Sequence, residues 1–287
     1  MTGRVRVGTA GWSYPDWEGI VYPPGKPKGF HPLVRMAELF DVVEVNVSFY
    51  RKPDPRHSEK WRRLVEGRDF RFLFKMWKGF THDHETERPT RRDVREYLEG
   101  VAPIAEAGLC EGFLVQFPFS FSATSANFDH LARFPSNFPG RALFLEVRHR
   151  SWLDHLEDVE KLGFHFVNID QPVGRESVPP TAIAIGGRGY VRLHGRNAES
   201  WFSRAADRDA KYDYLYSRAE LAGWAERIEK LRASCEVVYL VTNNHYRGQA
   251  VVNALQLQSL LGGGGEIRVP PELLSAYPEL AELAAPE

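Results

Sequence analysis

The chain has 287 residues, which at about 150 residues per domain allows one large domain or two ordinary ones. Hydrophobic residues make up 43% and charged residues 26%; this excludes a disordered or fibrous chain, and no run of about 18 apolar residues exists to span a membrane. Lys plus Arg is 37 and Asp plus Glu is 38, a net charge of -1, so bulk charge supplies no footprint for coating nucleic acid and any anion site must be a local patch.

The chain enters the apolar alternation Val5, Val7 with no apolar leader before it, which sets the expectation of a cytoplasmic protein. Eight apolar runs read as strands, at 5–9, 42–47, 72–75, 113–116, 142–147, 164–169, 190–193 and 237–241. Most are continuous Val, Ile and Phe runs, as suits strands covered on both faces of a parallel sheet. Helical stripes at i, i+3, i+4, i+7 lie between them: Leu33, Met36, Ala37, Phe40; then Val94, Tyr97, Leu98, Val101; then Leu221, Trp224, Ala225, Ile228. Ser217 with Glu220 is a capping-box pattern. Gly108 and Gly163 fall where helices should end. Cys110 and Cys235 each precede a predicted strand and make no CxxC. Reduced, partly buried thiols are the expectation, with a disulfide or a nucleophile as the alternative.

This alternation predicts one domain over 1–287: a (β/α)8 TIM barrel over about 5–261 and a tail over 262–287, with a short closing helix at 272–277. Pro172, Pro179, Pro180 and the Gly186-Gly187-Arg188-Gly189 turn leave little room for a helix between Ile169 and Tyr190. An open doubly wound sheet is the runner-up, but Gly8-Thr9-Ala10-Gly11-Trp12 lacks the GxGxxG spacing such a sheet usually carries.

A barrel of this kind places its active site at the C-terminal strand ends. Polar residues that interrupt the apolar runs there are Glu44, Asn46, Lys75, Gln116, Glu146, Arg148, Asp170, Arg192, His194, Asn243 and Asn244. Alternation places Glu44 and Asn46, Glu146 and Arg148, and Arg192 and His194 in pairs on common faces. The competing reading of any one of them is a structural ion pair inside the barrel. The carboxylates Glu44, Glu146 and Asp170 are positioned to converge, as ligands of a hard divalent metal or as general acid and base. Lys75, Arg148, Arg192 and Arg196 suit an anion such as phosphate, and His194 is the natural proton carrier. Aromatics follow the strands as loop residues: Trp12, Tyr14 and Trp17, Phe49 and Tyr50, Trp77 and Phe80, Trp152, Trp201, and Tyr212, Tyr214 and Tyr216. They suit bases, sugar rings or aromatic ligands, or else form a local core plugging the mouth. No GxSxG elbow, P-loop or HExxH is present. Thr81-His82-Asp83-His84, and His245 beside Asn243 and Asn244, are weak signals for zinc.

Several stretches together resemble one family. They are Gly8-Thr9-Ala10-Gly11-Trp12-Ser13-Tyr14 with Asp16-Trp17, Glu44-Val45-Asn46 with Phe49-Tyr50, and Phe117-Pro118. To these add Glu146-Val147-Arg148-His149 with Ser151-Trp152, Tyr190-Val191-Arg192-Leu193-His194-Gly195, and Asn243-Asn244 with Gly248, Ala250, Asn253 and Ala254. The chain resembles the domain of unknown function 72 family, also called YecE-like, over about residues 5–261. The resemblance implies a (β/α)8 barrel and no established reaction. Its likening to endonuclease IV and sugar isomerase barrels is an analogy of fold, and fold does not fix function. The chain departs from the family pattern at Val47-Ser48, where a Ser-Thr pair is common.

The functional expectation is a hydrolase or isomerase acting on a phosphorylated or sugar-like small molecule, with phosphodiester hydrolysis the favoured version. Glu44, Glu146, Asp170 and His194 are the candidate catalytic groups. Trp12, Tyr14, Asn46, Tyr50, Lys75, Gln116, Arg148, Trp152, Arg192, Asn243 and Asn244 are the candidate substrate contacts. No cofactor is assigned beyond the option of a divalent metal. A nucleic-acid-binding module and a non-catalytic scaffold are the alternatives.

Overall fold

The computed structural model describes residues 2–25, 27–86, 88–203 and 208–285, so the last two residues of the expected tail lie outside the described residues. Eight parallel strands close into a barrel in chain order. They are β1 (Arg4–Ala10), β2 (Val42–Val45), β3 (Arg71–Lys75), β4 (Cys110–Gln116), β5 (Leu143–Glu146), β6 (Phe164–Asp170), β7 (Arg188–Leu193) and β8 (Val237–Thr242). Strand β8 pairs with β1 from Arg4 opposite Val237 to Thr9 opposite Thr242, which closes the ring. The apolar runs are buried along nearly their whole length because helices cover the outside and side chains fill the inside.

Helix α1 (Pro32–Leu39) follows β1; α2 (Val47–Tyr50) and α3 (Pro55–Leu64) follow β2; α4 (Lys78–Thr81) and α5 (Arg91–Glu106) follow β3. Helices α6 (Ser125–Leu131) and α7 (Phe134–Asn137) follow β4, and α8 (Leu156–Lys161) follows β5. After β7 come α9 (Ala198–Phe202), α10 (Arg208–Lys211) and α11 (Arg218–Ser234); after β8 come α12 (Gln249–Leu261) and α13 (Pro271–Ala276). The stripes lie inward: Leu33 and Met36, Tyr97 and Val101, and Leu221, Trp224 and Ile228 are buried. Ser217 and Glu220 form the capping box that starts α11. Gly108 and Gly163 take positive φ just past their helices, where a side chain would strain the turn. No described helix is long and apolar enough to cross a membrane.

No helix joins β6 to β7. Asn168 replaces it with a side-chain clasp on an extended strap. Its Oδ1 accepts from the Ile183 amide at 2.7 Å and the Thr181 hydroxyl at 2.7 Å, and its Nδ2 donates to the Ile183 carbonyl at 3.0 Å. Both backbone polar groups of Ile183 are thereby satisfied without helix or sheet.

Three local expectations need correction. The second strand stops at Val45, and Asn46 adopts a helical conformation, so it does not continue the face of Glu44. The Ser48 hydroxyl lies 2.5 Å from the Val45 carbonyl and 2.6 Å from the Lys75 carbonyl, which folds the chain into α2 across the end of β3. Phe49 and Tyr50 consequently sit in a short helix, not a loop, and Phe80 in α4 and Trp201 in α9 are likewise helical. Cys110 opens β4 instead of preceding it. Both cysteines are free, and burial pushes the Cys110 thiol up to about 12, away from nucleophilic use.

Candidate functional site

Arg192 on β7 organises the barrel interior. Its Nε donates to Glu44 Oε2 at 2.8 Å and its Nη2 to Glu44 Oε1 at 2.7 Å, a bidentate clasp. Its Nη1 donates to Glu146. The Tyr190 hydroxyl donates to Glu44 Oε2 at 2.5 Å, and Arg148 Nη2 reaches Glu146 Oε1 at 3.1 Å. Arg192, Glu44 and Glu146 are essentially inaccessible to solvent. Burial alone would raise the Glu146 carboxyl, but the Arg192 charge and the hydrogen bond from His194 hold it well below the usual carboxylate range.

His194 lies against the same network. Its Nε2 is 3.3 Å from Glu146 Oε1, and its Nδ1 is 2.9 Å from Asn243 Nδ2. Burial, then Arg192 and Arg148, push its pKa down to about 3 against the pull of Glu146. A neutral ring that donates from Nε2 to Glu146 and accepts from Asn243 at Nδ1 satisfies both contacts.

The expected convergence of three carboxylates does not occur. Asp170 pairs in register with Leu193, the neighbour of inward-facing Arg192, so alternation turns it to the outer face. There it accepts from Trp224 Nε1 on α11 at 2.7 Å and from Arg196 Nε at 3.0 Å. Among the described residues no group of three His, Cys, Asp or Glu is placed to hold a metal. Nor does Thr81-His82-Asp83-His84 build a zinc site. His84 stacks on His130 with ring centroids 3.9 Å apart, and rings lying face to face do not aim their lone pairs at one point.

A cavity of about 650 Å³ opens instead over the ends of β1, β2, β3 and β8. Six of the predicted contacts line it: Trp12, Tyr14, Asn46, Tyr50, Lys75 and Asn243. The others stand elsewhere. Arg192, Glu44, Glu146 and His194 are buried beneath the mouth, and Arg192, expected to grip a ligand anion, does not line the cavity. Arg148 packs over Trp201 with its guanidinium 5.0 Å from the ring centre. Trp152 is buried, stacked on Phe121 and donating to the Phe121 carbonyl at 2.7 Å. Gln116 donates to the Phe117 carbonyl at 2.7 Å. Asn244 donates to the Tyr214 carbonyl and to Asn253 Oδ1. These last three hold loops and belong to the local core.

Sequence reasoning missed several lining groups: Arg51, His57, Lys60 and Trp61 among them. A signal was available. Asp54 caps and Pro55 starts α3, and positions 57, 60 and 61 then share one helix face by the i, i+3, i+4 rule. That face looks into the cavity, where Trp61 meets Trp12 edge-on with centroids 5.1 Å apart. On the opposite wall Tyr14 stacks on His245 at 4.4 Å.

The electrostatics of the cavity are one-signed. Arg51, Lys60 and Lys75 line it, no described Asp or Glu does, and none of the three basic side chains is ion-paired with a described carboxylate. Lys75 is half-buried and sits 4.2 Å from the centre of the Phe49 ring. Removal from water, and then the Arg192 charge, push its pKa down to about 7 against the pull of Glu44 and Glu146. His82, edge-on to the same Phe49 ring, is pushed down to about 4 by burial and by Lys75.

Comparison with known proteins covers most of the chain. Residues 6–274 match the family model described as "Protein of unknown function DUF72". The chain is 27% identical to the UPF0759 protein YunF of Bacillus subtilis over 271 residues, 90% of this chain and 94% of that protein. A crystal structure of a DUF72 family protein from Thermotoga maritima is similar with a TM-score of 0.79 at 31% identity, covering 90% of this chain and 99% of that one. One from Enterococcus faecalis is similar with a TM-score of 0.79 at 26% identity, covering 90% and 95%.

Proposed function

Since the chain belongs to the DUF72 family of (β/α)8 barrels, we propose that its mouth cavity is the active site of an enzyme acting on an anionic, phosphorylated or sugar-like small molecule. The observation that carries this reading is the lining: the unpaired Arg51 and Lys60 cations, the Lys75 amine and several aromatic rings around about 650 Å³, with no carboxylate among the described residues. A volume of that order accommodates a small ligand, and pockets of this kind combine apolar walls with a few placed polar groups. Arg51 and Lys60 supply charge for the anion at the rim. Trp12, Tyr14 and Trp61 offer faces and edges to a sugar or planar ring. Asn46 and Asn243 offer amides to hydroxyls. The buried Glu44–Arg192–Glu146 network lies beneath and holds β2, β5 and β7 in fixed relation. Its part is positioning, in place of the direct catalysis expected of those carboxylates.

The test is ligand-induced thermal stabilisation, read with inorganic phosphate and with ribose 5-phosphate against ribose. The phosphorylated compounds should raise the Tm of the wild type, and the Arg51→Ala, Lys60→Ala double variant should lose that rise while keeping its own unliganded Tm. Equal stabilisation of both proteins would remove the cavity from the reading.

A further inference from the structure

We propose that Lys75 is an amine nucleophile that forms an imine with an aldehyde or ketone carrying an anionic group, bound in the mouth cavity. The proposal deepens the reading of the cavity as an anion site and rests on it for the choice of substrate class.

Lys75 is the last residue of β3, at the strand-end face where barrels of this class do their chemistry. Its backbone is pinned, since the Tyr97 hydroxyl donates to its carbonyl at 3.2 Å and the Ser48 hydroxyl lies 2.6 Å from the same oxygen. The side chain lines the cavity. Its Nζ rests over the Phe49 ring and meets no described carboxylate in an ion pair. The nearby acids are already engaged: Glu44 is clasped by Arg192, and Glu146 by Arg192 and Arg148. A lysine placed to bind only through its charge would be expected to stand in water or beside an acid. This one stands in a partly dry site among like charges, the environment that leaves an amine uncharged and nucleophilic near neutral pH. The lowered pKa of Lys75 agrees with that placement. The groups that face it are Arg192, Arg148, Glu44, Glu146 and His82.

The step balances without an added reactant. The unprotonated amine adds to the carbonyl carbon, forming a C–N bond as the C=O π electrons move to oxygen. A proton passes from nitrogen to that oxygen, giving the carbinolamine. Loss of the hydroxyl together with the remaining N–H proton releases one water and leaves C=N. Both proton transfers run between the nitrogen and the oxygen of the adduct itself, so the step needs no further acid or base to balance. The anion on the substrate meets Arg51 and Lys60, which places the carbonyl over Lys75. Once protonated, the imine draws electrons from the adjacent carbon, so the reaction class is proton removal or carbon–carbon bond change at that carbon.

Borohydride trapping tests it. The wild-type protein is incubated at pH 7.5 with pyridoxal 5′-phosphate or with pyridoxal, reduced with sodium borohydride, digested and mapped by mass spectrometry. The phosphorylated aldehyde should mark Lys75 well ahead of exposed lysines such as Lys161, at least tenfold at limiting reagent, and inorganic phosphate should compete. The labelling rate of Lys75 should reach half its plateau near pH 7, against about 10.4 for an ordinary lysine. That measurement needs no variant; the Lys75→Arg protein serves as the unlabelled control. Labelling of Lys75 by both aldehydes alike, with no competition by phosphate, would uphold the imine and refute the anion site. Label confined to exposed lysines, while phosphate still stabilises the wild type but not the Arg51→Ala, Lys60→Ala variant, would refute the imine and leave the anion site standing.

Discussion

Arg192→Met is the substitution that separates a structural network from a ligand-binding one. Methionine nearly matches the arginine stem in length, so the chief loss is charge and hydrogen bonds. Two bonds to Glu44 and one to Glu146 disappear from groups with almost no solvent access. Breaking a buried ion pair by removing one partner costs about 3–5 kcal/mol, because the remaining charge is left uncompensated. Here Glu44 keeps the Tyr190 hydroxyl, and Glu146 keeps Arg148 and the His194 ring. The loss should therefore fall near the lower end, about 3 kcal/mol. A chain of this size shifts by roughly 2–4 °C per kcal/mol, so Tm should drop by about 6–12 °C. Urea unfolding checks the same loss through the midpoint, with the slope unchanged because the surface exposed on unfolding is the same. Arg192 does not line the cavity, so stabilisation by phosphate should survive in the variant. A variant as stable as the wild type, or one that keeps its stability and loses the response to phosphate, would refute the assignment of Arg192 to the scaffold.

Three further outcomes follow from the same contacts. The His194, His82 and His130 rings are held near 3, 4 and 4. The unfolded chain therefore takes up protons that the folded chain refuses as pH falls from about 6.5 toward 4, and stability should decline over that window. In the His82→Asn, His130→Asn double variant a urea titration at each pH should show a flatter decline. Lys75 acts on the alkaline side: the unfolded chain holds its proton up to about 10.4 and the folded chain only to about 7, so this group adds stability as pH rises between those values. Lys75→Met should lose that rise, as read from Tm against pH. Trp224→Phe removes the Nε1 donor from buried Asp170 and should cost about 1.5–3 kcal/mol in urea unfolding, since Arg196 and the Tyr216 hydroxyl then answer that carboxylate without it.

The strand-end polar residues show how far a sequence carries this kind of site. Lys75, Asn46 and Asn243 do reach the cavity, because each sits where a barrel strand ends and the chain turns outward. Glu44, Glu146 and Arg192 were visible as a mixed-charge group, but their mutual satisfaction was not. Pairing at 2.7–2.8 Å between β2 and β7 is a long-range fact about where strands stand around a ring. Asp170 went astray for a smaller reason: one step of alternation decides between the barrel interior and the helix layer. The cationic face of α3 was legible in principle, from Asp54-Pro55 and the spacing of 57, 60 and 61. It carries no apolar-strand signal, and a polar helix face usually meets water.

Periodicity and turn chemistry alone determined the eight strands, the crossover helices at Leu33, Val94 and Leu221, the Ser217–Glu220 cap, and hence the barrel. These are local preferences, settled within a few residues of chain. Tertiary structure decided which charges cancel and which stay free. Arg192 lost its availability to two carboxylates brought from β2 and β5, while Lys75, whose neighbouring acids are those same two carboxylates, kept its amine for the cavity. The balance of -1 in the whole chain could not reveal that division. A net charge sums over residues, and what an ionised group can do depends on the partners that packing puts within a few ångströms of it.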